Sequence, residues 1–196
     1  MEVRVYPSLS AHDRDDARYW AALSVDVRVL QVWKLSEAQW RLRGEFPDAS
    51  GFLSICCARL STLSRNDVRF LIVGAYALGV HGRPRATGDL DVWIEPAPGN
   101  AARVMAALKQ FGAPLEQVTV DDFSRPGIVF QMGLPPLRID VLTELSGLTF
   151  DEAWPGRTRA SFGPVTVDVI GREAFIRNKR ATGRPRDLGD IDALGE

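Results

Sequence analysis

Cysteine is nearly absent from this chain: Cys56 and Cys57 are the only two, and they are adjacent. Adjacent cysteines rarely bridge each other, so no disulfide framework is expected and a cytoplasmic address fits. No His or Cys partner lies nearby to complete a metal site with them, and both are expected to be buried as small apolar side chains. Long hydrophobic runs are missing too. No stretch approaches the roughly 18 apolar residues of a membrane span, and the N-terminal MEVRVYPSLSAHDRDDARYW is acidic and lacks the apolar centre of a secretory signal. Net charge is almost nil, at -1 for 24 basic and 25 acidic residues. Any contact with a nucleotide or nucleic acid must therefore come from a local patch. Repeats and low-complexity tracts are absent. The two histidines are expected to be incidental, His12 in an acidic segment and His81 in a glycine-flanked loop.

What is present is material for a packed core. Hydrophobic residues make up 45% of the 196 and charged residues 25%, which suits one ordinary domain with a small appendage. Residues 1–65 read as a helical N-terminal appendage. Within it, YWAALSVDVRVLQVWKLSEAQWRL carries helix-spaced apolar positions, and Ser36 with Gln39 resembles a capping box that opens a second helical piece. Trp33 and Trp40 are expected in its core. EFPDASG reads as a turn or linker, and GFLSICCARLSTLSRND as a further helix.

Residues 66–196 change character and alternate strands with helices. VRFLIVG is a short apolar strand ended by Gly74, and AYALGVHG a helix turning off it. DLDVWIEP is a strand stopped by Pro96. NAARVMAALKQFG is a helix that Asn100 can cap and Gly112 can end. VTV, GIVFQMG, PLRIDVLTEL and PVTVDVIG read as strands, GREAFIRNKRATG as a helix and RPRDLGDIDALGE as a shorter one. The expected class is α/β (α+β), a mixed β-sheet flanked by helices.

The chemistry concentrates in GAYALGVHGRPRATGDLDVWIEP. Asp89 and Asp91 stand two apart in a strand, so their carboxylates share one face and repel. A divalent cation turns that repulsion into a binding site, since Mg²⁺ takes one or two carboxylates plus substrate phosphates. A pair of such ions can clamp an in-line phosphoryl displacement. Asp140, alone in an apolar strand between Ile139 and Val141, is costly there unless paired or ligating, and supplies a third carboxylate. Gly74 and Ala75, where strand turns to helix, let a phosphate approach backbone N–H groups. Arg83 and Arg85 can add charge-assisted contacts to the same triphosphate. Each element alone is weak, because DxD pairs and loop arginines are common on surfaces; the ordered combination is much rarer.

Gly74-Ala75 followed by Asp89-Leu90-Asp91-Val92 resembles the signature of the polymerase-beta-type nucleotidyltransferase superfamily. FLIVGAYALGVHGRPRATGDLDVWIEP and FIRNKRATGRPRDLGDIDAL are similar to the AbiEii/MenT nucleotidyltransferase toxin group. The resemblance spans about residues 68–195. It implies a nucleotidyltransferase core, NTP as substrate and Mg²⁺ or Mn²⁺ as cofactor. It also implies backbone contacts from Gly74 and Ala75 to the triphosphate, metal ligation by Asp89, Asp91 and Asp140, and a phosphate contact from Lys179 oriented by Asp187 or Asp190. Asp140 would help activate the attacking hydroxyl. Ala75 departs from the usual Ser or Gly and lacks a hydroxyl for the phosphate. By the same resemblance the setting is a toxin–antitoxin pair, with a tRNA 3′ end as acceptor and a cognate antitoxin as protein partner. A protein side chain or an antibiotic hydroxyl is an alternative acceptor. A non-catalytic, antitoxin-like binding module with the same fold is the reading from another class. The cluster Arg172, Arg177, Lys179, Arg180, Arg184 and Arg186 is expected to line a groove for RNA phosphates rather than a plain solvated face.

Overall fold

The computed structural model describes residues 9–44, 52–135 and 138–196. EFPDASG, expected as a linker, lies outside the described residues. Three helices come first: α1 (Leu9–Ala22), α2 (Val25–Leu42) and α3 (Phe52–Arg65). Strand and helix then alternate through β1 (Phe70–Ile72), α4 (Gly74–Val80), β2 (Asp89–Ile94) and α5 (Pro98–Gln110). The rest comprises α6 (Val120–Ser124), β3 (Val129–Met132), β4 (Arg138–Leu142), α7 (Phe150–Ala153), β5 (Thr158–Phe162), β6 (Val165–Val169), α8 (Arg172–Thr182) and α9 (Pro185–Ala193).

The six strands form one sheet in the order β3-β4-β2-β1-β6-β5. β4 runs parallel to β2 and β6 parallel to β1, while the other neighbours are antiparallel. β1 is buried throughout, as an apolar Phe-Leu-Ile run in a central strand requires. One apolar cluster joins Val29, Val32 and Trp33 of α2, Cys56, Cys57, Leu60 and Leu63 of α3, and the sheet residues Leu71, Ile72, Val92 and Trp93. Both cysteines are buried as expected, and burial pushes the Cys56 thiol up to about 12.

Three local expectations are revised, and one strand is added. α2 is continuous through Ser36. Its N-cap is Ser24, which accepts from the Val27 amide, and Ser36 donates back to the Val32 carbonyl instead of starting a helix. Asn100 lies inside the first turn of α5, whose N-cap is Ala97. Its side chain instead bonds the Arg69 amide and the Arg69 and Glu95 carbonyls, tying the helix to the chain entering β1. Residues 118–120 are not a strand, because Thr119 and Asp122 form a reciprocal capping box that starts α6. β5, TRASF, carries a weak strand signal of its own. It is held by antiparallel pairing with β6 across the turn at Gly163.

The N-terminal helices are also tied down by polar contacts. Arg28 of α2 donates to the Gly79 and Val80 carbonyls at the end of α4 and to the Trp20 and Leu23 carbonyls at the end of α1. A guanidinium suits this place, since the last carbonyls of a helix lack internal partners and carry partial negative charge.

Candidate metal centre

Strand pairing assembles the carboxylates. β2 lies beside β4 in parallel with Asp89 opposite Arg138 and Asp91 opposite Asp140. The period of two then puts Asp89, Asp91, Arg138 and Asp140 on one face, while Leu90, Ile139 and Val141 turn into the core. One oxygen from each of Asp89, Asp91 and Asp140 lies within 4.8 Å of the others. The three residues named from sequence thus meet, although 48 residues of chain lie between Asp91 and Asp140.

Each carboxylate has its own supports. Asp89 accepts from the Thr87 hydroxyl at 2.6 Å through one oxygen and from Arg138 through the other. Asp140, 6% exposed, pairs with Arg138 Nε at 2.9 Å and accepts from Gln131 Nε2 at 3.0 Å. Asp91 is poorest in counter-charge. Burial first, then the charges of Asp89 and Asp140, push its carboxyl up to about 7, against the opposing pull of Lys179 and Arg138. Arg138 itself is pushed above the usual guanidinium value, because Asp140 and Asp89 outweigh its desolvation.

Gly74 explains how Asp91 fits. Its φ is +61°, and a Cβ built there would lie 1.9 Å from Asp91 Oδ2. The glycine at the strand-to-helix turn therefore clears space for the carboxylate itself, a reason beyond the phosphate approach inferred from sequence. Ala75, next along, is buried in the first turn of α4. Gly74→Ala is expected to lose on the order of 2 kcal/mol from the left-handed backbone and the collision together, and to weaken divalent-cation binding. Thermal unfolding with and without Mg²⁺ measures both.

The C-terminal helices form a second charged cluster. Lys179 of α8 is 7% exposed and pairs with both Asp187 and Asp190 of α9, the latter at 2.9 Å. Its positive charge favours ionisation of Asp91. The sequence offered Asp187 or Asp190 as a partner for this lysine, and it pairs with both. Asp190 is also gripped by Arg85 through Nε at 2.8 Å and Nη2 at 2.9 Å. Burial opposes its ionisation, but the hydrogen bonds from Arg85 and Lys179 prevail and hold it below the usual carboxylate range. Arg83 turns to Asp16 of α1 and to the Ala193 carbonyl. The remaining basic residues of the C-terminal cluster separate: Arg172 reaches the His81 and Leu194 carbonyls and Glu196, and Arg177 reaches Glu152. Arg180, Arg184 and Arg186 stay exposed. His81 caps the end of α4 and bonds the Ile170 carbonyl through Nε2.

Arg138, Thr87 and Gln131 were not singled out from sequence. Arg138 and Thr87 each stand two residues before an aspartate, so the same alternation that pairs Asp89 with Asp91 was their available signal. Gln131 carried none, because its place opposite Asp140 depends on β3 pairing with β4.

The donor set fits a hard divalent cation: three carboxylates, oxygen only, with one of them left short of positive charge. No protein-family model matches the sequence, and no curated protein matches it. Among solved structures, a candidate nucleotidyltransferase from Thermotoga maritima is similar at a TM-score of 0.51 and 10% sequence identity, over 72% of this chain and 90% of that one. At that identity the likeness is one of architecture, and the chain has a nucleotidyltransferase-like fold.

Proposed function

We propose that the chain is a divalent-metal-dependent nucleotidyltransferase that moves a nucleoside monophosphate from an NTP to an acceptor hydroxyl and releases pyrophosphate. The observation that carries this reading is the convergence of Asp89, Asp91 and Asp140 beside the Gly74 turn. Asp89, Asp91 and Asp140 would hold Mg²⁺ or Mn²⁺. When bound, the metal supplies Lewis-acid polarisation and charge offset at the transferring phosphoryl group. The acceptor oxygen bonds to the α-phosphorus as the bond to the α–β bridging oxygen breaks. Asp140, fixed from two sides by Arg138 and Gln131, is assigned to the proton leaving the acceptor hydroxyl. The Gly74 and Ala75 amides and the Lys179 ammonium are assigned to the triphosphate. For Arg83 and Arg85 a phosphate role requires leaving Asp16 and Asp190.

On the sequence resemblance, the setting we favour is the toxin half of a toxin–antitoxin pair acting on tRNA 3′ ends. Arg180, Arg184 and Arg186, exposed on α8, α9 and the turn between them, would meet RNA phosphates. A second reading, a non-catalytic binding module, draws support from Arg138, whose guanidinium already spans two of the three carboxylates.

Incubation with each labelled NTP plus total RNA or lysate tests the proposal. Label is expected to enter RNA in a Mg²⁺-dependent way, and Asp89→Ala is expected to abolish it while circular dichroism stays unchanged. Incorporation retained by Asp89→Ala overturns the site assignment. Label appearing on protein or on an aminoglycoside redirects the acceptor. Failure to bind any NTP at millimolar concentration favours the binding module.

A further inference from the structure

We infer that Ser36, in the N-terminal helix α2, is a positioning residue of the metal centre, acting through Thr87 on Asp89; this rests on the metal-centre reading above. Ser36 is 2% exposed in mid-helix. Its hydroxyl donates to the Val32 carbonyl at 2.7 Å, so its oxygen is oriented to accept, and it accepts the Thr87 amide at 2.8 Å. Thr87 is buried, and its own hydroxyl donates to Asp89 Oδ1 at 2.6 Å. Two hydrogen bonds therefore connect the core of an N-terminal helix to a carboxylate of the triad.

The placement matters because of where β2 begins. Its ladder with β4 starts at Asp89, and residues 83–87 before it have no regular structure. Sheet pairing alone leaves the first residue of a strand free to swing. α2 closes that freedom from the side. Besides the Ser36 bond, Trp40 packs on Gly88, where an added Cβ would lie 3.3 Å from its ring and 3.2 Å from Pro135. Further up the same helix, Val32 fills the space beside Gly79, and Arg28 holds the Gly79 and Val80 carbonyls. α2 thus braces both α4 and the run-in to β2. With Oδ1 committed to Thr87, the other oxygen of Asp89 faces Arg138 on the triad side.

A purely structural role for Ser36, satisfying one buried amide, affects stability alone. A positioning role affects metal affinity as well. Full-length wild type, Ser36→Ala, Thr87→Val and Thr87→Ser are titrated with Mn²⁺ and Mg²⁺ by calorimetry, alongside circular dichroism and thermal unfolding. Ser36→Ala and Thr87→Val are expected to bind about 10-fold more weakly, as when an outer partner of a metal ligand is removed, with Thr87→Ser within about 2-fold of wild type. If Ser36→Ala does not fold, the contrast between Thr87→Val and Thr87→Ser decides. Wild-type affinity in folded Ser36→Ala or in Thr87→Val overturns this inference and leaves the metal centre standing. A wild-type chain that takes up neither ion at millimolar concentration overturns the metal-centre reading and this inference with it.

Discussion

Asp91→Asn is expected to make the metal-free chain more stable at pH 8 and to abolish nucleotide transfer. Asp91 is the carboxylate that burial and its two acidic neighbours hold protonated up to about pH 7. Its folded pKa is raised above the ordinary carboxylate value of about 3.9, so the folded state keeps a proton that the unfolded state has released. Stability from this group is therefore full below pH 4, falls as pH rises from about 4 to 7, and is lost above. At pH 8 the wild type folds against a buried, repelled charge. An asparagine removes that charge without changing the shape, for a gain on the order of a few kcal/mol. A divalent cation should relieve the same strain, so Mg²⁺ should raise the wild-type melting temperature more at pH 8 than at pH 5.5 and do little for Asp91→Asn. Thermal unfolding at the two pH values, with and without Mg²⁺, measures this. A wild type whose Mg²⁺ response is equal at both would remove Asp91 from the ligand set. Such opposition between stability and function is expected where like charges are gathered to hold a ligand.

Lys179→Met is expected to destabilise the chain by about 3–5 kcal/mol, the range for breaking a buried ion pair from one side. The ammonium is buried between Asp187 and Asp190. Arg85 remains on Asp190 after the change, but Asp187 loses the partner shown for it. The deficit should depend on pH. Asp190 is held below its ordinary value by Arg85 and Lys179, so its contribution is present above that value and is lost as pH falls through the depressed one. The gap between wild type and Lys179→Met should then narrow toward pH 3. Urea unfolding midpoints at pH 7 and pH 3 test both parts, and a gap equally wide at both would mean that the ammonium's contact with the Phe175 ring rather than its ion pairs dominates.

Much of the site was legible in the chain because its chemistry is unfavourable without a purpose. Asp89 and Asp91 in an apolar strand, and Asp140 alone among Ile and Val, announce themselves by the energy of placing charge there. The alternation of β2 and β4 followed from composition for the same reason. Local signals that compete with other local signals were less reliable. Ser36 reads as a cap but bonds back within a continuous helix; Asn100 reads as a cap but serves β1. A hydroxyl or amide can satisfy several partners equally well, and only the fold chooses among them.

The sequence by itself determined the strand–turn–helix–strand order, the same-face pair Asp89 and Asp91, and the buried character of the core strands, because these rest on the period of two and on the transfer of apolar side chains from water. Tertiary structure alone decided which strand lies beside β2, and so brought Asp140 opposite Asp91 and Arg138 opposite Asp89. It also decided that Arg83 and Arg85 face Asp16 and Asp190, and that Ser36 reaches Thr87. Hydrogen bonds and ion pairs act over a few ångströms in space, and residues far apart along the chain become partners only after the sheet has closed.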